Sequence, residues 1–235
     1  MKVEIKGYIF DYGGTLDTCG NHWGKVIWHA WQRAGLPVNE QQFREVYVYA
    51  ERTLGRNPII LPTYTFKKLL DVKLRLELEY LFTKGYWQAD KQEYGKTELA
   101  LLTDLYDGVK RTVEHSREVL MQIHNHYPMV LVSNFYGNIE VVLKEFGLDS
   151  LFCHVVESAV VKIRKPDARI FQMGIDALGL NPNEVVVVGD SIKKDIVPAK
   201  SLGCQTVWFK GEGWTDEEDE SLADEVITDL SQLIR

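Results

Sequence analysis

The stretch YIFDYGGTLD, Tyr8–Asp17, runs from apolar residues into a carboxylate, two glycines, a hydroxyl and a second carboxylate. Upstream of it, the residues VEIKGY at 3–8 alternate in polarity before the run becomes continuously apolar. This change is typical of a strand that enters a core buried on both faces. We therefore predict a strand over residues 3–10 whose carboxyl end presents Asp11.

Three later runs have the same apolar character: MVLVSN at 129–134, EVVVVGD at 184–190 and QTVWF at 205–209. Stretches with helical spacing lie between them, at 109–127, 137–146, 167–178 and 192–202. Strands that alternate with helices of this length favour a parallel sheet covered by helices on both faces. The predicted fold class is α/β, with a Rossmann-like parallel-sheet core.

Residues 18–107 interrupt this alternation. They carry apolar residues at helical spacing, as in VIWHAWQRAG at 26–35 and FKKLLDVKLRLELEYLF at 66–82, without a run that resembles a buried strand. We predict that they form an all-α domain inserted into a core made of residues 1–17 and 108–235. Connecting loops are predicted at 17–22 and 103–108.

Composition limits the class of partner. A chain of 235 residues with 45% hydrophobic content suffices for one substantial core, or for a core with a small accessory domain. The formal net charge of −7 disfavours a broad surface for nucleic acid or anionic lipid. We expect no nucleic-acid or membrane partner, and a monomer or homodimer.

The N-terminal segment MKVEIKGYIF lacks the long apolar run of a signal peptide, and no uninterrupted apolar run approaches the roughly 20 residues of a membrane span. The three cysteines, Cys19, Cys153 and Cys204, lie far apart and lack metal-type spacing. That usage suits a reducing compartment better than a disulfide framework. The expected location is cytoplasmic.

Polar side chains follow the predicted strands: Asp11 after the first, Ser133 and Asn134 at the end of the second, and Asp190 after the third. Lys165 lies in the loop KIRKPD between the last two. In open parallel sheets, ligands bind outside the carboxyl ends of the strands, where the strand order switches. We expect these side chains to share one site.

This set of groups suits phosphoryl transfer. An aspartate can act as nucleophile, and two carboxylates can hold Mg²⁺ while an ammonium and a hydroxyl hold phosphate oxygens. Each residue also has a structural interpretation: Asp11 as a turn residue, Ser133 and Asn134 as helix caps, and Lys165 as a surface lysine. Their order and shared placement favour the phosphoryl-transfer interpretation.

In that order the residues resemble the four motifs of the haloacid dehalogenase-like (HAD) hydrolase superfamily: FDYGGTL at 10–16, LVSN at 131–134, RKPD at 164–167 and VVGDSIKKDI at 187–196. The inserted helical segment stands where that family has its C1-type cap, so we refer to residues 18–107 as the cap. The resemblance implies a Mg²⁺-dependent hydrolase, a phosphatase of small phosphorylated metabolites that forms an aspartyl phosphate.

The resemblance also implies a role for each matching residue. Asp11 would be the nucleophile and a metal ligand, and Thr15 would orient its loop. Ser133 would bind the transferring group, with Asn134 in support, and Lys165 would pair with the nucleophile and the phosphate. Metal ligands would be Asp11, the main-chain carbonyl of Gly13 and Asp190, with Asp195 supporting them.

Gly13 departs from the family pattern. The family's phosphatases usually have a second aspartate here, which protonates the leaving oxygen and then activates water. Losing a positioned general acid or base lowers the rate about 100- to 10,000-fold. Asp17 and His22, where the chain enters the cap, are candidate substitutes, with hinge and capping roles as the structural alternatives.

Three functional accounts stay open. The first is the phosphatase. The second is a carbon–halogen or phosphorus–carbon bond hydrolase: Asp190 counts against the halogen branch, and the phosphorus–carbon branch needs a Schiff-base lysine in the cap, for which Lys25 is the candidate. The third is a phosphate- and metal-binding protein whose hydrolysis is lost at Gly13.

The cap is expected to supply specificity because it closes over the strand ends and excludes water. Arg52 and Arg56 are candidates for recognising a second anionic group, with a solvated helix end as the alternative. Eight cap aromatics are candidates for lining a pocket or for packing helix on helix: Trp23, Trp28, Trp31, Tyr47, Tyr49, Tyr64, Tyr80 and Trp87. The acidic run TDEEDE at 215–220 is predicted to be a solvated loop.

Overall fold

The structure is a computed structural model that describes residues 4–215 and 219–234. Val3, the first residue of the first predicted strand, lies outside the described residues, as do residues 216–218 of the acidic run.

A parallel sheet forms the centre of the molecule. Within the described residues its six strands are β1 Gly7–Phe10, β2 Met129–Ser133, β3 His154–Glu157, β4 Val185–Gly189, β5 Gln205–Phe209 and β6 Glu225–Ile227. Their order across the sheet is β3-β2-β1-β4-β5-β6, and every neighbouring pair is parallel. The predicted α/β class is confirmed, and all four predicted strands are present. The first is shorter than the predicted span of 3–10, because β1 begins at Gly7 and the exposed Glu4 and Lys6 lie outside the strand.

The two strands that the sequence did not reveal, β3 and β6, lie at the two edges of the sheet. Both are short, with 4 and 3 residues. Each begins with a polar residue that is not buried, His154 in β3 and Glu225 in β6. An edge strand has fewer buried neighbours than a central one, so neither produces the continuous apolar run by which the inner strands were recognised.

Four long helices lie between β1 and β2: α1 Trp23–Arg33, α2 Glu40–Arg56, α3 Phe66–Thr83 and α4 Lys91–His124. Four shorter ones follow: α5 Ile139–Glu145, α6 Ser158–Val161, α7 Arg169–Leu178 and α8 Val197–Ser201. A single π-helical turn, Ile192–Ile196, leads into α8. The helical insertion after the first strand is confirmed.

The loop predicted at 103–108 is wrong, because α4 is continuous over 34 residues. Leu101, Leu105, Val109 and Val113 recur every fourth residue and are all buried, so one apolar stripe crosses the position where a break was predicted. Gly108 is accommodated within the helix. The boundary between the cap and the core at 107/108 therefore falls inside a helix, and the domain limits stay a prediction.

Both faces of the sheet are covered. Successive residues of a strand point to opposite faces, and in β1 this places Ile9 and Phe10 in different cores. Ile9 packs in a core that includes Phe171 of α7, whereas Phe10 packs in the larger core that includes Val113 of α4 and continues into the cap. None of the helices in the described part of the chain is both long enough and apolar enough to cross a bilayer.

Strand register places the polar strand ends side by side. Phe10 of β1 is paired with Leu131 of β2 on one side and with Val188 of β4 on the other. Asp11, one residue beyond Phe10, therefore lies at the same sheet edge as Ser133 and Asp190, each two residues beyond its paired position. The chain order switches around β1, which is where ligands of such sheets bind.

Candidate active site

Asp11 lies directly beyond β1 and is 5% exposed. Its backbone N–H donates to the carbonyl of Val188 at 3.0 Å, which continues the pairing with β4. Its Oδ1 accepts from Nζ of Lys165 at 2.5 Å, and its Oδ2 lies 3.1 Å from the Thr15 hydroxyl. The carboxylate is therefore held in one orientation by contacts on both oxygens.

Lys165 bridges two carboxylates, with Nζ 2.5 Å from Asp11 and 2.7 Å from Oδ1 of Asp195. Burial opposes the charge of this amine, but the two carboxylates outweigh burial and raise the pKa of Lys165, so it is an ammonium. Asn134 holds its backbone at both ends: Oδ1 accepts from the Lys165 N–H at 3.0 Å, and Nδ2 donates to the Lys165 carbonyl at 3.2 Å.

Asp11, Asp190 and Asp195 form an acidic cluster in which one oxygen from each lies within 4.8 Å of the others. Burial, followed by the charges of Asp11 and Asp195, raises the pKa of Asp190 well above its ordinary value. Among the described residues, Lys165 is the cation paired with Asp11 and Asp195, and no ion pair involves Asp190. An uncompensated carboxylate beside two others fits a hard divalent cation such as Mg²⁺.

Gly14 permits this cluster to form. Its φ is +100°, and a Cβ built on it would lie 2.3 Å from Oδ2 of Asp190. Both the left-handed backbone and the close approach exclude a side chain here. On the other side of the cluster, the π-helical turn holds Asp195, whose Oδ2 accepts from the Ser191 N–H at 3.1 Å.

Gly13, by contrast, has free space beside it. The nearest heavy atom to a Cβ at this position is Nε1 of Trp23, at 4.0 Å. Gly13 lines the same cavity as Asp11 and Asp190. The missing side chain is therefore not imposed by crowding, and an aspartate has room here.

Of the two candidate substitutes for the missing acid, His22 is a helix cap. Its Nδ1 accepts from the Gly24 N–H at 3.0 Å, which makes it the N-cap of α1. Burial, followed by the charges of Lys194 and Lys73, lowers the pKa of His22 to about 4. It is neutral at pH 7, so the imidazolium form that acts as a general acid is not populated.

Asp17 lines the cavity, but both of its oxygens have other contacts. Oδ1 accepts from the Gly14 N–H at 2.7 Å, and Oδ2 accepts from Nε1 of Trp23 at 3.0 Å. Burial raises the pKa of Asp17 to about 7, although these two hydrogen bonds act in the opposite direction. The carboxyl connects the turn after Asp11 to the first cap helix.

Ser133 and Thr15 complete the predicted set. The Thr15 hydroxyl lies 3.1 Å from Asp11 and 3.3 Å from Asp190. The Ser133 hydroxyl, at the end of β2, is buried without a hydrogen-bond partner among the described residues. Ser133 does not line the cavity, whereas its neighbour Asn134 does. An unpartnered buried hydroxyl is a donor available to a substrate oxygen.

The cavity above the strand ends has a volume of about 300 Å³ and is closed on the cap side by α2 and α3. Five polar side chains that line the cavity were not predicted from the sequence as site residues: Glu51, Lys73, Tyr136, Arg164 and Lys194. Arg52 and Arg56, predicted as candidates, are exposed and do not line it. Lys25 does not line it either and pairs with Glu40 at 3.4 Å.

Four of the eight cap aromatics pack helix on helix: Trp28 and Trp31 both pack on Phe43, and Tyr49 stacks on Tyr80. Trp87, in the segment between α3 and α4, stacks on Tyr94. Of the eight aromatics considered, Trp23 and Tyr47 line the cavity. The apolar part of the pocket wall is completed by Phe66, Leu69 and Leu70 of α3 together with Phe135.

Glu77, one turn beyond Lys73 on α3, is fully buried, and neither of its carboxyl oxygens has a hydrogen-bond partner among the described residues. Burial raises its pKa to about 8, against the opposing charge of Lys73. The carboxyl is therefore mostly protonated at pH 7.

Glu77 predicts a pH-dependent stability. Below its unfolded pKa, near 4.5, both states are protonated. As the pH rises towards 8, the unfolded state loses the proton that the folded state keeps, so the free energy of unfolding falls by a few kcal/mol. Denaturant unfolding at pH 5 and pH 8 should show this fall in the wild type and a smaller fall in Glu77→Gln. Equal falls in the two proteins would contradict the prediction.

Comparison with known proteins shows that the chain is a hydrolase of a known family. Residues 5–203 match the family model of haloacid dehalogenase-like hydrolases. The chain belongs to this family, as the four sequence motifs indicated. The helical insertion between β1 and β2 corresponds to the family's C1-type cap.

Several relatives carry phosphatase names, and two of them cover most of this chain. The chain is 40% identical over 207 residues to glyceraldehyde 3-phosphate phosphatase of Pyrococcus furiosus. The aligned region covers 86% of this chain and 79% of that protein. It is 26% identical over 244 residues to phosphoglycolate phosphatase of Vibrio cholerae, with 98% of each covered. The fold is shared with a dehalogenase whose crystal structure holds an intermediate complex. The TM-score between the two structures is 0.64 at 23% sequence identity, and the match covers 98% of this chain and 96% of the dehalogenase chain.

Proposed function

We propose that this protein is a Mg²⁺-dependent phosphatase of small phosphorylated metabolites that acts through an aspartyl phosphate on Asp11. The observation that supports it best is the placement of Asp11, between Lys165 and Thr15, in the same cavity as Asp190 and Asp195. The phosphatase names of the two relatives support the same class of substrate.

In the first step, a carboxylate oxygen of Asp11 attacks phosphorus and the bond from phosphorus to the leaving oxygen breaks. Lys165, which lines the cavity, holds an oxygen of the transferring group, and Ser133, to which the resemblance assigns the same role, lies beside the lining residue Asn134. The leaving oxygen takes a proton from a cavity water, because Gly13 offers no side chain that can donate one. In the second step, water attacks phosphorus, the bond from phosphorus to the Asp11 oxygen breaks, and inorganic phosphate and the Asp11 carboxylate are released. The proton that the attacking water loses neutralises the hydroxide left when cavity water protonated the leaving oxygen.

Asp11, Asp190 and the main chain of Gly13 would hold Mg²⁺, with Asp195 in support. The bound ion supplies positive charge that offsets the charge of the transferring group. Asp195 also keeps the Lys165 ammonium beside the nucleophile, through its contact of 2.7 Å. These residues position charge, which is most of what phosphoryl transfer requires of a protein.

The impaired-protein account remains the second candidate, and Gly13 is the observation that favours it. The bond-cleavage alternatives have weaker support. Lys25 lies outside the cavity, paired with Glu40 and Glu212, so it is not placed for a Schiff base with a bound substrate. The acidic cluster that includes Asp190 counts against the carbon–halogen branch.

Phosphate release tests the proposal. The substrate panel is p-nitrophenyl phosphate, glyceraldehyde 3-phosphate and phosphoglycolate. The concentration of each substrate is varied about 5- to 10-fold above and below roughly 1 mM, which is the upper end of usual KM values. Release from at least one ester, dependent on Mg²⁺, is expected. No release from any ester by a protein that binds Mg²⁺ would favour the impaired account.

Metal binding makes a separate prediction. Because Mg²⁺ binds the folded cluster, it should raise the melting temperature, and a concentration of about 100 times Kd stabilises by about 2.7 kcal/mol. EDTA should reverse the rise. Asp190→Asn should lose most of it, whereas Asp167→Asn, which alters a half-buried aspartate that is paired with Arg169 and lies outside the cavity lining, should keep it. An equal Mg²⁺ response in both variants would exclude Asp190 as a ligand.

A further inference from the structure

A pair of opposite charges lies at the cap end of the cavity. Lys73 of α3 and Glu51 of α2 both line the cavity, and Nζ of Lys73 forms an ion pair with Oε1 of Glu51. The ammonium lies 4.6 Å from the centroid of the Tyr47 ring, and the Tyr136 hydroxyl lies 3.4 Å from each Glu51 oxygen. Lys73 is 6% exposed, so its amine has little contact with bulk solvent.

The pair is close to neutral as a unit. Burial opposes the charge of Glu51, but Lys73 outweighs burial and lowers the pKa of Glu51, so it is a carboxylate at neutral pH. Glu77, on the buried side of α3, is mostly protonated and adds little charge. Arg164 and Lys194 also line the cavity; both are exposed, so solvent weakens their charges, although Lys194 still helps to lower the pKa of Glu51.

The chemistry of the pair defines what it can bind. It presents an N–H donor and a carboxylate acceptor side by side, so a hydroxyl can accept from Lys73 and donate to Glu51. A carboxylate on the substrate would be attracted by Lys73 but repelled by Glu51. An ammonium on the substrate would be attracted by Glu51 but repelled by Lys73. Desolvating an ion against a like charge is costly, so the pair disfavours both.

We propose that Lys73 and Glu51 form a specificity subsite that selects phosphate esters of short, uncharged polyols or hydroxyaldehydes over phosphate esters that carry a carboxylate or an ammonium. The proposal deepens the phosphatase function and rests on it, because it assumes that the phosphate lies at Asp11. The volume of about 300 Å³ is at the lower end for ligand pockets, which suits a short substrate.

Two matched substrates test the subsite: glycerol 3-phosphate and 3-phosphoglycerate, which differ by a hydroxymethyl against a carboxylate. The wild type should prefer glycerol 3-phosphate in kcat/KM by about tenfold or more, within the range seen when a polar site discriminates by pairing. Glu51→Gln keeps the shape but removes the repelling charge, so it should reduce or reverse this ratio about tenfold.

Lys73→Met should lower kcat/KM for glycerol 3-phosphate about tenfold, since it removes the donor. The matched controls are Glu40→Gln at the start of α2 and Lys68→Met on α3, both exposed and outside the cavity, and they should keep the wild-type ratio. Thermal unfolding checks that each variant folds. If Lys73→Met does not fold, Glu51→Gln still decides, because it preserves the volume and keeps one acceptor oxygen for Lys73.

The two possible failures are distinguishable. Absence of Mg²⁺-dependent release from every ester of the panel and from both matched substrates would overturn the phosphatase function. In that case the subsite is tested by binding: calorimetry on the Mg²⁺-loaded protein gives the dissociation constants of glycerol 3-phosphate and 3-phosphoglycerate. The ratio of the two dissociation constants should show the same preference, and the same change in Glu51→Gln, as expected for kcat/KM. A wild-type preference for 3-phosphoglycerate, or an unchanged ratio in Glu51→Gln, would overturn the subsite even if the protein hydrolyses phosphate esters.

Discussion

Asp11→Asn should abolish phosphate release, lowering kcat by at least about 10,000-fold, in the range seen when a catalytic nucleophile is removed. The amide is a poor nucleophile, and the substitution also removes one of the two carboxylates that hold Lys165. Asp195 still pairs with that lysine at 2.7 Å, so the protein should fold. Phosphate release and thermal unfolding, measured on the same sample, separate loss of chemistry from loss of structure.

The control for this variant is Asp149→Asn, the same change at an exposed site outside the cavity, which should keep full activity. Beryllofluoride, which mimics a phosphoryl group on a carboxylate, gives a second measurement. It should raise the melting temperature of the wild type with Mg²⁺ present and have little effect on Asp11→Asn. Retained turnover in Asp11→Asn would contradict the assignment of the nucleophile.

Gly13→Asp should raise kcat for alkyl phosphates by about 100-fold or more, the low end of what a positioned general acid contributes. The side chain has room, since the nearest atom to its Cβ is 4.0 Å away. The gain should be smaller for p-nitrophenyl phosphate, whose leaving oxygen is a better leaving group and needs less protonation. Rates for glycerol 3-phosphate and p-nitrophenyl phosphate, measured side by side, give the comparison.

Gly13→Asn is the matched control for this gain, because it has the same size and no titratable proton. It should not increase the rate. If Gly13→Asp is no faster than Gly13→Asn, a group already present supplies the proton, and Asp17 is the cavity-lining carboxyl to replace next. That outcome would contradict the proposal that a cavity water protonates the leaving oxygen.

Much of the candidate site was predictable because Asp11 and Asp190 directly follow buried strands. Asp11 and Asp190 are fixed by the ends of β1 and β4, whose apolar runs are evident in the sequence. The structure brings both together with Lys165, whose position depends on a loop held by Asn134. Parallel register converts a sequence position into a spatial one, so these positions follow from local pattern.

The cap subsite was not predictable in this way. Lys73 and Glu77 lie four residues apart on α3, a spacing that is typical of a solvated salt-bridged helix face. Both are buried, because α2 packs against α3 and brings Glu51 to the lysine. Only the tertiary contact between the two helices distinguishes this pair from ordinary surface charges, and no short sequence pattern encodes that contact.

The unbroken helix α4 ties the two parts of the chain together mechanically. At 1.5 Å per residue its 34 residues form a rod of about 50 Å. A cut in the chain at residue 107 would place Leu105 and Val109 on separate fragments. Each fragment would then carry only half of the apolar stripe of α4. Tilting of the cap relative to the sheet should therefore strain or rotate α4, because this helix also packs against α1 and α3 of the cap.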